Sequence, residues 1–358
     1  MNYAATNAVK ELRSNFNAAV NGEIPHKVPV VLWSIGHGFA SELNIPIGDY
    51  YKDNRTKLRV QSKMQETYPD AILMPGVYPD YGVVAEPALF GCPVHWQKQQ
   101  APAAEPIFAD IKHVDHWKVP DIASSEMARK VIEDIDYLLE NADAPLLNKY
   151  HYMQGTVFMM GPLETAAMVR GYSEFLMDVV LDPARVKLLL RMVTDGLIEW
   201  LKLLEKKYGS IRQLIIADHF PTQISPDHFE EIFLPYMREI YAQYPRAIRV
   251  YHNEGQIDHV IHKIPEIGAS VFHFGTDIQK TTDLIGDKIC LMGNINPIDC
   301  MLNGTAEEVK SECVRVLQIG AVKGGFMLST AGGMSINTPP KNINSMFQAV
   351  NQYGVGIA

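Results

Sequence analysis

Cysteine is scarce in this chain, and the few that occur do not pair by spacing. The 358 residues carry four, Cys92, Cys290, Cys300 and Cys313, with no C-x-x-C among them. A disulfide scaffold is therefore not expected, and a reduced cytoplasmic protein is. No block of basic residues appears and the net charge is −9, which argues against a nucleic-acid or anionic-membrane partner. No apolar run approaches the roughly 18 residues of a membrane span. The N-terminus lacks a long apolar stretch after its first charges, so no secretory signal is expected. No G-x-G-x-x-G follows the first strand-like segment, which leaves a doubly wound sheet as the weaker of two α/β candidates. What remains is ordinary: 47% apolar and 20% charged residues, the composition of a soluble globular protein with an ample core. The length admits two domains or one large barrel.

The periodicity chooses between them. Residues 1–24 read as one amphipathic helix, with Val9, Leu12, Phe16 and Val20 at helical spacing. Strand-like segments then begin near residues 28, 71, 155, 213, 247, 270, 288 and 325, nearly all followed by a helical pattern. Helices are expected over 58–67, 124–142, 163–180, 183–208, 226–241, 257–264, 278–285, 306–319 and 340–353, with Asp182 as a cap and Pro183 at the first helical position. The strands are apolar without alternation, as parallel strands buried on both faces are. Eight such β/α repeats predict a TIM (β/α)8 barrel as a single domain over 1–358. It carries an N-terminal helical extension and a long excursion after the second strand, from Pro75 to about Pro120.

In such a barrel the chemistry sits at the C-terminal strand ends. Those ends carry Ser34 and His37, Tyr78 and Asp80, Gly161, Asp218 and His219, His252 and Glu254, His273, Asn294 and Asn296, then Ser329 and Thr330. His252 and Glu254 stand at i and i+2 of an extended segment and project to one side. Together they make half of a divalent-metal site, zinc first among the choices. A plain His–carboxylate hydrogen bond is the simpler alternative. Asp218 has the alternative of capping the following turn, His219 of an ordinary surface residue, His273 of a packed core imidazole. Asn294 and Asn296 have that of holding their own turn.

Several stretches resemble the uroporphyrinogen decarboxylase superfamily, and within it the zinc-dependent, corrinoid-linked methyltransferase branch. They are Tyr78-Pro79-Asp80-Tyr81-Gly82 through Glu86, Gly161-Pro162-Leu163 with Gly171 to Leu176, Asp182-Pro183, Ile224-Ser225-Pro226 with Leu234-Pro235-Tyr236, and Met292 to Pro297. In the thiol-directed members of that branch the zinc ligands are an H-x-C motif and a cysteine after the last strand. Here the first place reads His252-Asn253-Glu254, and the second, around Leu328 to Gly333, has no cysteine. Oxygen and nitrogen donors leave a metal harder and more Lewis-acidic. The resemblance then implies an O-demethylase-type methyltransferase. Zinc on His252, Glu254 and a third ligand, His273 or else Asp218, polarises the ether oxygen of a methoxylated aromatic substrate. The methyl group passes to the cobalamin of a partner corrinoid protein docked over the mouth. His37, Tyr78, Asp80 and Tyr81 are the expected substrate-binding residues, and Asp218, His219 and Asn294 the expected catalytic ones.

Three alternatives follow from the same residues. A methylcobamide:thiol methyltransferase shares the fold but wants the missing cysteines. Uroporphyrinogen decarboxylase wants cations for a polycarboxylate substrate, and no arginine occurs between Arg13 and Arg55. A non-catalytic barrel that only docks the corrinoid protein would bind no metal. Oligomeric state is not set by the sequence, and a homodimer is left open.

Overall fold

The structure, a computed structural model, describes residues 7–33, 36–143, 146 and 155–356. Ser34, one of the expected strand-end residues, lies outside them. All eight expected strands form: β1 (Val31–Trp33), β2 (Ile72–Met74), β3 (Thr156–Met160), β4 (Gln213–Ala217), β5 (Ile248–Asn253), β6 (Val271–Phe274), β7 (Cys290–Ile295) and β8 (Phe326–Thr330). Every ladder between them is parallel. β3 to β8 form one six-stranded sheet in sequence order, β1 and β2 pair separately, and a bridge from Val30 to Leu328 ties β1 to β8. The architecture is a distorted TIM-type barrel. Its strands are apolar on both faces because Val31, Ile72, Ile215, Val250, Val271 and Met327 fill the interior. Their neighbours Leu32, Ile216, Tyr251, Phe272 and Leu291 pack outward under the helices.

Among the described residues no ladder joins β2 to β3, so the barrel wall has a seam there. Alternation fixes which groups face it. The N–H of Gly161 bonds to Ala217 of β4 at 2.7 Å, so that of Met160 points the other way, toward β2. The helix Ala85–Leu89 of the excursion supplies the missing acceptor, for the buried carboxyl of Glu86 takes the Met160 N–H. Burial pushes the Glu86 pKa up to about 7.

The helices depart from the sequence pattern in four places, each with a local cause. The stretch expected as one helix over 163–180 is two, Pro162–Arg170 and Tyr172–Leu181, because Gly171 between them sits at φ +98°. After β5, Pro265 lies inside the short 3-10 run Ile261–Ile267, where it has no N–H to extend an α-helix. After β4, a π-helical turn, Phe229–Phe233, precedes Leu234–Ala242, with Pro235 at its start. After β1, where no helix is expected before residue 58, two short helices form, Gly36–Glu42 and Ile47–Lys52. Asp182 caps the long helix Pro183–Tyr208 as expected, its carboxylate accepting the Arg185 N–H at 3.3 Å. Among the described residues no helix is long and apolar enough to cross a membrane.

Candidate active site at the barrel mouth

Register places the histidines. Ala217 of β4 pairs with His252 of β5, His252 with His273 of β6, and His273 with Met292 of β7. Partners in a parallel ladder share a face, so both imidazoles sit one layer above the apolar filling of Val250 and Val271. Trp33, the last residue of β1, crosses the barrel and lays its indole against both, with ring centroids 4.5 Å from His252 and 4.3 Å from His273. The two imidazoles stack at 4.7 Å with planes 26° apart. His219, on the loop after β4, meets His252 edge-on at 5.0 Å.

The electrostatics follow from burial. His252 is held well below the ordinary histidine range by desolvation, with His273 and His219 adding to the effect. His273 is pulled down to about 4 by the same desolvation, which its bond to the Thr330 carbonyl only partly opposes. That bond, Nε2–H to Thr330 O at 2.7 Å, fixes the tautomer and leaves Nδ1 buried without a partner. Nδ1 of His252 and Nε2 of His219 are likewise buried and unpartnered. Glu164 takes the backbone N–H of His219 at 2.8 Å, stands 3.8 Å from its Nδ1, and accepts from the Tyr172 hydroxyl. Burial alone would lower the His219 pKa, but Glu164, with the charges of Glu254 and Asp218 behind it, outweighs this and raises it.

His252 and Glu254 face one another as the extended spacing predicts, Nε2 to Oε2 at 3.9 Å, with Glu254 half exposed. The carboxylate lies over Gly332 in the loop after β8, where a Cβ would come within 1.7 Å of Oε2. That glycine belongs to the stretch that lacks the second cysteine, so Glu254 occupies space that any side chain there would need.

Of the other expected residues, Asp218 is committed elsewhere. Its Oδ2 caps the helix Pro162–Arg170 through the N–H groups of Leu163 (2.9 Å) and Glu164 (3.2 Å). Its own carbonyl is held by the Tyr251 hydroxyl and the Asn253 amide. Burial first, and then the charge of Glu164, raise its pKa well above the usual carboxylate range. Gly161 makes this possible, since a Cβ there would lie 2.4 Å from Asp218 Oδ2. Asn294 donates to Thr276 O at 2.6 Å and leaves its own oxygen unpartnered, whereas Asn296 caps its own turn. His37, Tyr78 and Asp80 come together on the opposite lip. Burial lowers the His37 pKa and the Asp80 charge opposes it. Asp80 accepts from Tyr50 at 2.8 Å, and Gln61 brackets the Tyr78 backbone at 3.0 and 3.1 Å. Phe158 of β3 connects the lips, its ring 6.2 Å from Trp33 and 5.9 Å from Tyr78. Tyr81 is buried in the excursion, its ring 3.8 Å from Lys57 Nζ and 6.1 Å from Trp96. Trp33 and Glu164 escaped the sequence reading. Trp33 had a usable signal, its place at the end of the first strand; Glu164 had none.

A resident metal would find part of its shell here. Among the described residues no three His, Cys, Asp or Glu side chains are grouped as a metal site requires. Two are nearly so. Tetrahedral zinc holds neighbouring donors about 3.4 Å apart, and the 3.9 Å between His252 and Glu254 closes with a small movement of the exposed carboxylate. The nearly parallel planes of His252 and His273 converge too slowly to meet at one ion, whereas His219 and His252, crossed at 84°, have no such obstacle. His219 Nε2, His273 Nδ1 and Asp218 Oδ1 are all left without a partner, and of the two histidines only His219 has a ring plane that crosses that of His252.

Comparison with known proteins agrees with this architecture. The chain is 24% identical over 284 residues to a methylated-thiol–coenzyme M methyltransferase of Methanosarcina mazei, covering 76% of this chain and 71% of that one. It is 27% identical over 146 residues to a uroporphyrinogen decarboxylase of Chlorobium luteolum, a match covering 38% of this chain and only 41% of the decarboxylase. A solved methyltransferase structure from Methanosarcina mazei superposes with a TM-score of 0.76 at 17% identity, covering 96% of this chain and 98% of that one. The uroporphyrinogen decarboxylase (URO-D) family is matched from residue 11 to residue 353, and the chain belongs to it.

Proposed function

We propose that this chain is a methyltransferase acting at the barrel mouth, exchanging a methyl group between a small methylated substrate and the corrinoid of a separate protein. One observation carries the reading. Two buried imidazoles and a half-buried one, each with a buried nitrogen unmet, gather with a carboxylate at one rim of the barrel, and buried polar atoms left without partners call for a functional explanation. A methylated thiol is the substrate class that one relative favours, the methylated-thiol enzyme whose match covers most of both chains.

Each residue has a task that its geometry suits. His252 and Glu254 would hold a divalent metal with His219 completing the set, and such an ion supplies Lewis acidity toward the heteroatom bearing the methyl group. His252 is kept neutral by burial, so its lone pair is available rather than protonated. Glu164 and Tyr172 fix the His219 ring, and Trp33 floors the site and keeps water from its underside. Across the mouth, His37 would face a substrate, on a lip that Asp80 orders through its bonds to Tyr50 and the Gly82 N–H.

Cleavage of a methyl ether is the second reading, favoured by a specific observation. None of the four cysteines is among the residues gathered at this rim, and Glu254 covers Gly332, so the donors are oxygen and nitrogen throughout. Incubating the metal-loaded chain and a reduced corrinoid protein with methylated thiols and, separately, with methoxybenzoates decides between them. Turnover of thioethers alone supports the first reading and turnover of aryl ethers alone the second. Absence of both, with uroporphyrinogen decarboxylated instead, would overturn methyl transfer altogether.

A further inference from the structure

Away from the mouth, the excursion borders an open cleft of about 550 Å³, within the range of small-molecule sites. It lies between the hairpin strand Val94–His95, the helix Ile47–Lys52 and the first turns of the helix Glu126–Asn141. Val94, Trp96, Ala88 and Met127 give it an apolar wall, and Lys52 and Lys130 bring ammonium groups to it.

Behind that wall the charges of two lysines and two aspartates lie close together. Asp134 is shared by two ammonium groups, at 3.4 Å from the fully buried Lys57 and 3.9 Å from Lys130. Both cations also lie over one face or edge of the Tyr81 ring, at 3.8 and 5.5 Å from its centroid. Asp80 is more distant and already serves Tyr50 and the Gly82 N–H. Lys57 thus feels the charges of both Asp134 and Asp80, and the cleft wall itself carries Lys130 and Lys52 against the single carboxylate of Glu126. A bound anion would meet the unneutralised charge in a half-buried setting, where solvent screens it less than at the open surface. The indole of Trp96 offers the flat apolar face that an aromatic ring stacks on.

We propose that this cleft is a second ligand site, taking a small aromatic carboxylate whose carboxylate pairs with Lys130 and Lys52 while its ring lies against Trp96. The site shares no residue with the mouth and does not depend on the methyltransferase reading. Glu126 stands at its rim as an exposed carboxylate, so the anion is drawn in against one opposing charge.

Isothermal titration of the full chain with benzoate tests this, with benzamide and acetate as comparators that each lack one half of the recognition. One equivalent of benzoate is expected to bind, to survive His252→Ala, and to weaken by about 10-fold or more in Lys130→Met and with benzamide. Glu126→Gln is expected to tighten it. Lys52→Met, at an exposed side chain, gives the same loss should Lys130→Met disturb packing. Benzoate and benzamide binding alike, retention in both lysine variants, or loss in His252→Ala would each overturn the proposal.

Discussion

On the β1–β2 side of the mouth the polar groups of Tyr50, Gln61 and Asp80 are bonded to one another and to the backbone. On the β4–β6 side, His219, His252 and His273 each keep a buried nitrogen with no partner. Both regions are deep and both are polar, yet the imidazoles keep bonding capacity that Tyr50, Gln61 and Asp80 have already used. A satisfied network stabilises and orients, whereas an unsatisfied one costs stability unless something binds it. The two lips are thus expected to respond differently to substitution, the imidazole side in turnover and the excursion side in stability.

His252→Ala should show the largest effect, a loss of methyl transfer and of bound zinc exceeding about 100-fold, since even partners of metal ligands cost 10–100-fold. Turnover kinetics with metal analysis check it, and normal activity in a metal-free variant would break the comparison at its centre. Lys57→Met should cost about 3 kcal/mol in denaturant unfolding, because buried Asp134 keeps only the more distant and partly exposed Lys130 as its cation. Methyl transfer by the folded fraction should be little changed.

Glu86→Gln probes the seam through pH. The folded carboxyl titrates near 7 against an ordinary value of 4.5, so the native state holds its proton across that interval while the unfolded state releases it. Stability from this group is full below the lower value and declines as pH rises to the upper one. Glutamine still accepts the Met160 N–H without that decline. The variant should therefore gain on the order of 2 kcal/mol over the parent between pH 5 and pH 8, measured as the difference of two melting profiles. The smallest effect is expected of Gly332→Ala. Its Cβ would displace the carboxylate of Glu254 and press on that residue's Cβ at 3.2 Å, so stability should fall by no more than about 1 kcal/mol while activity falls about 10-fold. A larger loss of stability would mean that Glu254 is packed structure rather than a poised ligand.

Much of this was legible in the sequence because it is local. The strand positions come from short apolar runs, and the His252–Glu254 pair from a spacing of two along an extended segment. What escaped depends on residues far apart in the chain. Trp33 reaches His252 and His273 only because β1 lies across the barrel from β5 and β6. Asp218 does cap a helix, but one that begins at Pro162, which no pattern around residue 218 discloses. The break at Gly171 was hidden for a different reason, since the apolar periodicity runs straight through it and only the backbone conformation stops the helix. Tyr81 was grouped with Tyr78 and Asp80 by adjacency, but its ring lies with Lys57 and Trp96 beneath the excursion.

The indole of Trp33 is one of four in the chain and touches two of the three imidazoles at the rim. Indole emission responds to charge placed against the ring, so this side chain is a built-in optical gauge of the histidines. Its fluorescence should report protonation or ion capture at the rim directly, in the unlabelled protein and before any catalytic assay exists.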